Sequence, residues 1–115
     1  MHELSIALSI VDGVLEELER RPGSRVEAVH LRVGRVNAID RQALAFSYGI
    51  ACDGTPLAGS RLIVEDGEIV IWCPRCRAER AAVGYPAFGC AQCGSPAERI
   101  VRGGEMEITQ LELAV

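Results

Sequence analysis

The 115-residue chain contains no lysine, so all twelve of its basic residues are arginine. Codon bias explains that uniformity more simply than function does, but any cationic contact with a partner must then be made by a guanidinium. Sixteen acids leave a net charge of −4, which argues against sequence-independent binding to nucleic acid. Aromatic residues number only five and are not interleaved with arginine as in a base-stacking surface. No apolar run is long enough to span a bilayer. The stretch Leu4 to Leu15 follows Glu3, is interrupted by Asp12 and lacks a basic leader or small-residue cleavage site, so it does not read as a signal peptide. Also missing are a convincing nucleophile–base pair and a phosphate-cradling glycine loop, which counts against an enzyme. The expectation is a cytoplasmic protein with no membrane partner, where clustered cysteines bind metal more often than they form disulfides.

What is present is ordered patterning. Leu4, Ala7, Leu8, Val11, Val14, Leu15 and Leu18 follow helical periodicity, with Glu16, Glu17 and Glu19 as a solvated face, and Pro22-Gly23-Ser24 ends that helix. From Val26 to Val33 the period becomes two, placing Val29, Leu31 and Val33 on the core side and Ala28, His30 and Arg32 on the exposed side. His30 reads as a surface residue rather than a second metal ligand. Asp40 can cap a second helix reaching roughly Cys52, with Ala43, Leu44, Phe46, Ser47 and Ile50 as its buried side and Cys52 as a small core hydrophobe. The run Arg61 to Trp72 is broken at Asp66-Gly67, making either a hairpin or one strand that bends out of the core. A closing strand, Glu105 to Val115, carries Met106, Ile108, Leu111 and Leu113 with a slip near Thr109-Gln110 that suggests a bulge. The expected class is α+β: a small mixed three-stranded sheet with two helices, plus an inserted zinc ribbon, with the strand–helix–strand portion as a right-handed parallel crossover. Residues 1–68 with 103–115 form one expected domain and 69–102 the other.

Cys73-Pro74-Arg75-Cys76 and Cys90-Ala91-Gln92-Cys93-Gly94 are two Cys-x-x-Cys knuckles separated by thirteen residues. Two intervening residues let both sulfurs of a knuckle face one ion, and Gly94 can take the positive φ that turns the chain back toward them. Four thiolates close a tetrahedral shell, so Cys73, Cys76, Cys90 and Cys93 are the expected ligands of a structural zinc. The region 73–102 has five arginines against Glu79 and Glu98, a net +3 that four thiolates on zinc reduce to about +1. That is too little for a nucleic-acid footprint, although a zinc-ribbon interaction module for nucleic acid or protein is the competing reading. Trp72, just before Cys73, is expected to pack between the two modules.

At the other end a bulky His2 is expected to keep Met1 in place, which would set a free α-amine beside an imidazole. The amine and the deprotonated His2 amide close a five-membered ring on a metal; that amide and the His2 Nδ1 close a six-membered one. Three nitrogens in a plane suit Ni(II) or Cu(II), with Glu3 or an outside ligand as the fourth.

Met1-His2-Glu3-Leu4-Ser5 together with two zinc knuckles in the last half resembles the hydrogenase nickel-incorporation family, HypA/HybF. The likeness extends over the chain through Leu31-Arg32-Val33-Gly34, Ala43-Leu44-Ala45-Phe46, Gly59-Ser60-Arg61-Leu62 and Gly104-Glu105-Met106-Glu107-Ile108. It departs from the family at Arg35-Val36-Asn37-Ala38-Ile39, where a Glu-Leu-Ser type of sequence is more usual. The resemblance implies nickel binding at His2, with Met1 and Glu3 adjacent, and delivery to nickel–iron hydrogenase or, in some members, urease. It also implies a GTPase partner, HypB, and contact with the hydrogenase large subunit or its maturation complex.

Overall fold

The structure is a computed structural model that describes residues 2–34, 39–84 and 87–114. Met1 and the departing stretch Arg35 to Ala38 lie outside the described residues, as does the side chain of His2. The chain divides into two compact units, one of residues 1–31, 39–64 and 108–115, the other of residues 32–38 and 65–107.

In the first unit, α1 (His2–Glu19) buries Ala7, Ile10, Val11, Val14 and Leu18 at alternating steps of three, one, three and four. Leu4 and Leu8, expected on this stripe, are 45% and 47% exposed because Ile10 shifts its centre and leaves them at its edge. The second helix, α2 (Arg41–Cys52), starts where Asp40 Oδ1 accepts the Ala43 amide at 3.0 Å. This cap satisfies one of the amides that a first turn leaves without a helical partner. The helix ends as Asp53 N donates to Ile50 O and the Thr55 hydroxyl donates to Cys52 O at 2.7 Å.

The buried line of α2 is Leu44, Tyr48 and Cys52, spaced by four. Phe46 and Ile50, expected inside, are instead 74% and 52% exposed. Each follows a buried residue by two positions, about 200° around the helix at roughly 100° per residue, so both point away from the packed side. Apolar character had suggested burial where the period forbids it. Cys52 is buried as expected, and burial pushes its thiol pKa up. Beside it the Tyr48 and Ser60 hydroxyls meet at 2.7 Å, which supplies a partner for a phenol that burial holds well above its ordinary pKa.

Three strands, β1 (Arg25–Gly34), β2 (Arg61–Gly67) and β7 (Met106–Ala114), form a sheet in the order β2-β1-β7. Val26 N donates to Pro56 O near the start of β1, and Gly67 at the end of β2 lies against Arg32 and Val33, so β1 and β2 run in the same direction. His30 meets Glu112 and Arg32 meets Glu107, which sets β7 antiparallel to β1. The sheet is therefore mixed. Being central, β1 is covered beyond its expected core side: Ala28 is fully buried and His30 half-buried, leaving only Arg32 of the supposed outer face exposed.

The run expected to be a hairpin or a departing strand takes the second form. β2 stops at Gly67, and β3 (Val70–Cys73) belongs to a different sheet, of order β5-β4-β3-β6. That sheet is completed by β4 (Ala78–Val83), β5 (Gly89–Cys90) and β6 (Arg99–Arg102). β3 pairs antiparallel with both β4 and β6, in register Cys73 to Ala78 on one side and Trp72 to Arg99 on the other. Within this unit the Arg99 guanidinium lies over the Trp72 ring at 5.3 Å, a cation–π contact. The class is α+β, as the periodicities indicated.

Candidate metal centre

The first knuckle begins on the last residue of β3 and the second on the last residue of β5, and both close alike. Arg77 N donates to Cys73 O at 2.8 Å, and Gly94 N donates to Cys90 O at 2.9 Å. The residue after each second cysteine has positive φ: 53° at Arg77 and 79° at Gly94. With this turn the Cys76 amide points at Cys73 Sγ (3.3 Å), and the Gln92 and Cys93 amides point at Cys90 Sγ (3.3 and 3.4 Å). Backbone N–H groups aimed at a sulfur stabilise its thiolate form. The position after the second cysteine gives a direct test. A Cβ on Gly94 would meet nothing within 4 Å, so Gly94→Ala meets only the backbone penalty of the left-handed region. We expect a loss of about 1–2 kcal/mol in zinc-loaded urea unfolding, and no loss would show that the turn relaxes freely.

The four sulfurs lie within 4.8 Å of one another and can hold one metal ion. Cys73 Sγ is 3.5 Å from Cys93 Sγ, and Cys76 Sγ is 3.9 Å from Cys90 Sγ. A tetrahedral zinc with bonds of about 2.3 Å needs sulfur edges of about 3.8 Å, so the donor set fits zinc and the two closest edges bracket the required spacing. All four positions are protein thiols, which leaves none for a reacting water.

The groups around the sulfurs favour ionisation unevenly. The Ser95 hydroxyl and amide hold the Cys93 thiol down to about 6. Burial works against the Cys90 thiolate, yet the Cys93 and Gln92 amides outweigh it and its pKa falls. Burial pushes Cys76 up to about 11, against a hydrogen bond from Arg80. Arg80 is half-buried with its Nε shielded from solvent and hydrogen-bonds to Cys76, so it would offset part of the negative charge that four thiolates on a divalent ion would carry. Neither Arg80 nor Ser95 stood out in the sequence, where the five arginines of this region look alike.

At the amino terminus His2 is the first residue of α1. The Glu3 carboxylate accepts a long hydrogen bond from the Asp40 amide, 3.5 Å, at the cap of α2. Its own backbone amide, assisted by that of Asp40, holds its pKa below the ordinary carboxylate value. His30 does not stand free: its Nε2 is 2.6 Å from Glu112 Oε2, and Arg61 approaches the other oxygen at 3.6 Å.

A sequence model of the hydrogenase/urease nickel-incorporation metallochaperones, HypA, matches residues 1–113. The chain belongs to the HypA family. It is 43% identical over 112 residues to the hydrogenase maturation factor HypA of Chloroflexus aurantiacus, covering 97% of this chain and 98% of that one. Identity to the HypA of a Roseiflexus species is 42% over 113 residues, with 97% and 91% covered, and to that of Deinococcus radiodurans 37% over 108, with 94% and 89% covered. The solution structure of the Ni metallochaperone HypA from Helicobacter pylori superposes with a TM-score of 0.69 over 96% of each chain at 20% identity, a likeness of fold. HypA proteins are maturation factors for nickel incorporation, and the four-cysteine group of this member fits a zinc site. Among the described residues no helix is long and apolar enough to cross a membrane.

Proposed function

We propose that this HypA-family chain is a cytoplasmic, non-enzymatic nickel carrier. It takes Ni(II) through the Met1 amine, the His2 amide and imidazole, and Glu3, and passes it on during maturation of nickel–iron hydrogenase, with urease as a second recipient. The observation carrying this reading is that α1 begins at His2 in a chain matched from residue 1 by a nickel-incorporation family. The first amides of a helix have no helical acceptor, so a metal can replace the His2 amide proton, released to solvent, without breaking a helical hydrogen bond. The positive end of the helix dipole favours the anion so formed. Three nitrogens fill three places of a square plane, and the incomplete fourth side suits transfer by ligand exchange inside a complex. The partners implied are a HypB-like GTPase and the hydrogenase large subunit or its maturation complex.

In this reading residues 1–68 with 103–115 form the nickel-binding domain. Residues 69–102 form a ribbon in which Cys73, Cys76, Cys90 and Cys93 hold a structural zinc that does not move. The near-neutral charge of that ribbon disfavours nucleic acid as a partner.

The test is a nickel titration of zinc-loaded protein with its native amino terminus, beside His2→Ala and a form extended before Met1. The native form is expected to bind about one nickel per chain and both altered forms to lose at least a hundredfold in affinity. Binding should also weaken as pH falls from about 8, because the metal must displace protons to solvent from an amine of ordinary pKa near 8, an imidazole near 6.5 and the His2 amide. Equal binding by all three forms would remove the terminal site.

A further inference from the structure

β7 is an edge strand, since the sheet order β2-β1-β7 leaves one of its sides without a neighbouring strand among the described residues. Long edges are ordinarily guarded by prolines or outward charges. This one is nine residues long and has no proline, and its two charges are turned onto β1: Glu107 to Arg32 at 2.9 Å and Glu112 to His30 at 2.6 Å. Along the first unit's part of the edge runs a groove of about 610 Å³ between β7 and α1, lined by Gly13, Val14, Arg21, Ile108, Gln110 and Leu113 among others. Gly13 lines its helix wall: a Cβ there would just touch Ile108 Cδ1 at 4.0 Å, so only a larger side chain would fill the groove.

From this we infer that the α1–β7 groove is a docking site for an extended segment of a partner protein, which adds a strand to β7 and carries a carboxylate side chain at the end beside Arg20 and Arg21. Charge selects the occupant. Glu17 is shared between two guanidiniums, 2.9 Å from Arg20 and 3.8 Å from Arg21, so one carboxylate faces two cations there. α1 runs from Gly13 beside Ile108 to Glu17 on the same groove wall, and Arg20 and Arg21 follow it. An antiparallel strand, the more stable pairing, would bring its first residue to that end. Backbone hydrogen bonds to the edge supply affinity, and alternate apolar side chains enter the groove opposite Gly13, Val14 and Ile108. The site is independent of the nickel ligands.

The probe is an acetylated, amidated heptapeptide that begins with glutamate and alternates valine with threonine, titrated into zinc-loaded full chain and followed by amide NMR. Saturable shifts confined to residues 108–113 and the Gly13 turn, with slowed amide exchange on β7, are expected. A lysine-first peptide should bind roughly three- to fivefold more weakly, and Arg20→Glu with Arg21→Glu should reverse that preference. Gly13→Leu, which favours the helix and fills the groove, should leave the spectrum folded but unresponsive. Shifts centred on β2 or the cysteine cluster, equal binding of both peptides, or no shift at all would overturn the proposal. So would concentration-dependent shifts of the same amides without peptide, which would mean that a second copy occupies the edge.

Discussion

Cys90→Ala protein is expected to purify without zinc and with its second unit unfolded, while Ala7, Val14, Leu44 and Tyr48 keep the dispersed signals of a packed core. The reason lies in what that unit has to hold it together. Its buried cluster is Ile69, Ile71, Cys73 and Cys90, surrounded by half-buried Cys76, Ala82, Phe88, Cys93 and Ala97. Two of the four buried members, Cys73 and Cys90, belong to the four-cysteine group, and only the isoleucines are large aliphatics, each contributing about 1.5–3 kcal/mol on burial. Zinc binding by four-ligand fingers contributes on the order of 10–16 kcal/mol near neutral pH, so the ion outweighs the apolar core several-fold. Removing one thiolate also leaves Cys76 Sγ, 3.9 Å away, without the bridged neighbour that the ion would have provided. Zinc content by elemental analysis and the amide spectrum at Ile71 and Ala82 decide the matter. A ribbon that stays dispersed without metal would show that backbone pairing of β3 with β4 and β6 is sufficient by itself. Chelation of the native protein should reproduce the variant, and restoring zinc should reverse it.

The knuckles were legible because their geometry is local: two residues between cysteines and a left-handed position after the second. The same rule hid a detail, because at Arg77 the left-handed position is held by a non-glycine residue that the sequence does not flag. Helix ends were readable for a similar reason, since Asp40 and Pro22 act on their immediate neighbours. What could not be read was rotation. Phe46 and Ile50 are as apolar as Leu44, and only the packing partner decides which line of α2 is covered. The partial cover of His30 could not be read because its partner on β7, Glu112, lies some eighty residues later in the chain. The break after Gly67 was visible, but its meaning was not. Whether a broken run folds back or leaves for another sheet depends on β4 and β6, whose pairing with β3 is nonlocal.

Gly103→Ala is expected to destabilise the zinc-loaded protein by about 3–5 kcal/mol, several times more than Gly94→Ala, although both glycines have positive φ. The comparison separates two causes. At φ 90° and φ 79° the two positions carry similar backbone penalties, roughly 1–2 kcal/mol for an L residue. Around Gly94 there is open space, whereas a Cβ on Gly103 would fall 2.0 Å from Glu68 O and 2.9 Å from the Glu68 carbonyl carbon, both backbone atoms that no rotamer change can move. Gly34 repeats the arrangement, with its added Cβ 2.0 Å from Gly103 O. The end of β1, the link from β2 to β3 and the link from β6 to β7 thus pack main chain against main chain with no side chain between them. Relief would require shifting Glu68 or Gly103, and with them the first pairs of β3 and the last of β6. Urea unfolding of the two variants side by side, with zinc present throughout, gives the difference. If Gly103→Ala loses no more than Gly94→Ala, the links are not in contact in solution and the close approach at Gly34 must open with it. If the larger loss is found, the Gly103-Gly104 doublet, which by composition is only a turn, is where this fold fixes the paths of the chain into and out of its cysteine-bearing sheet.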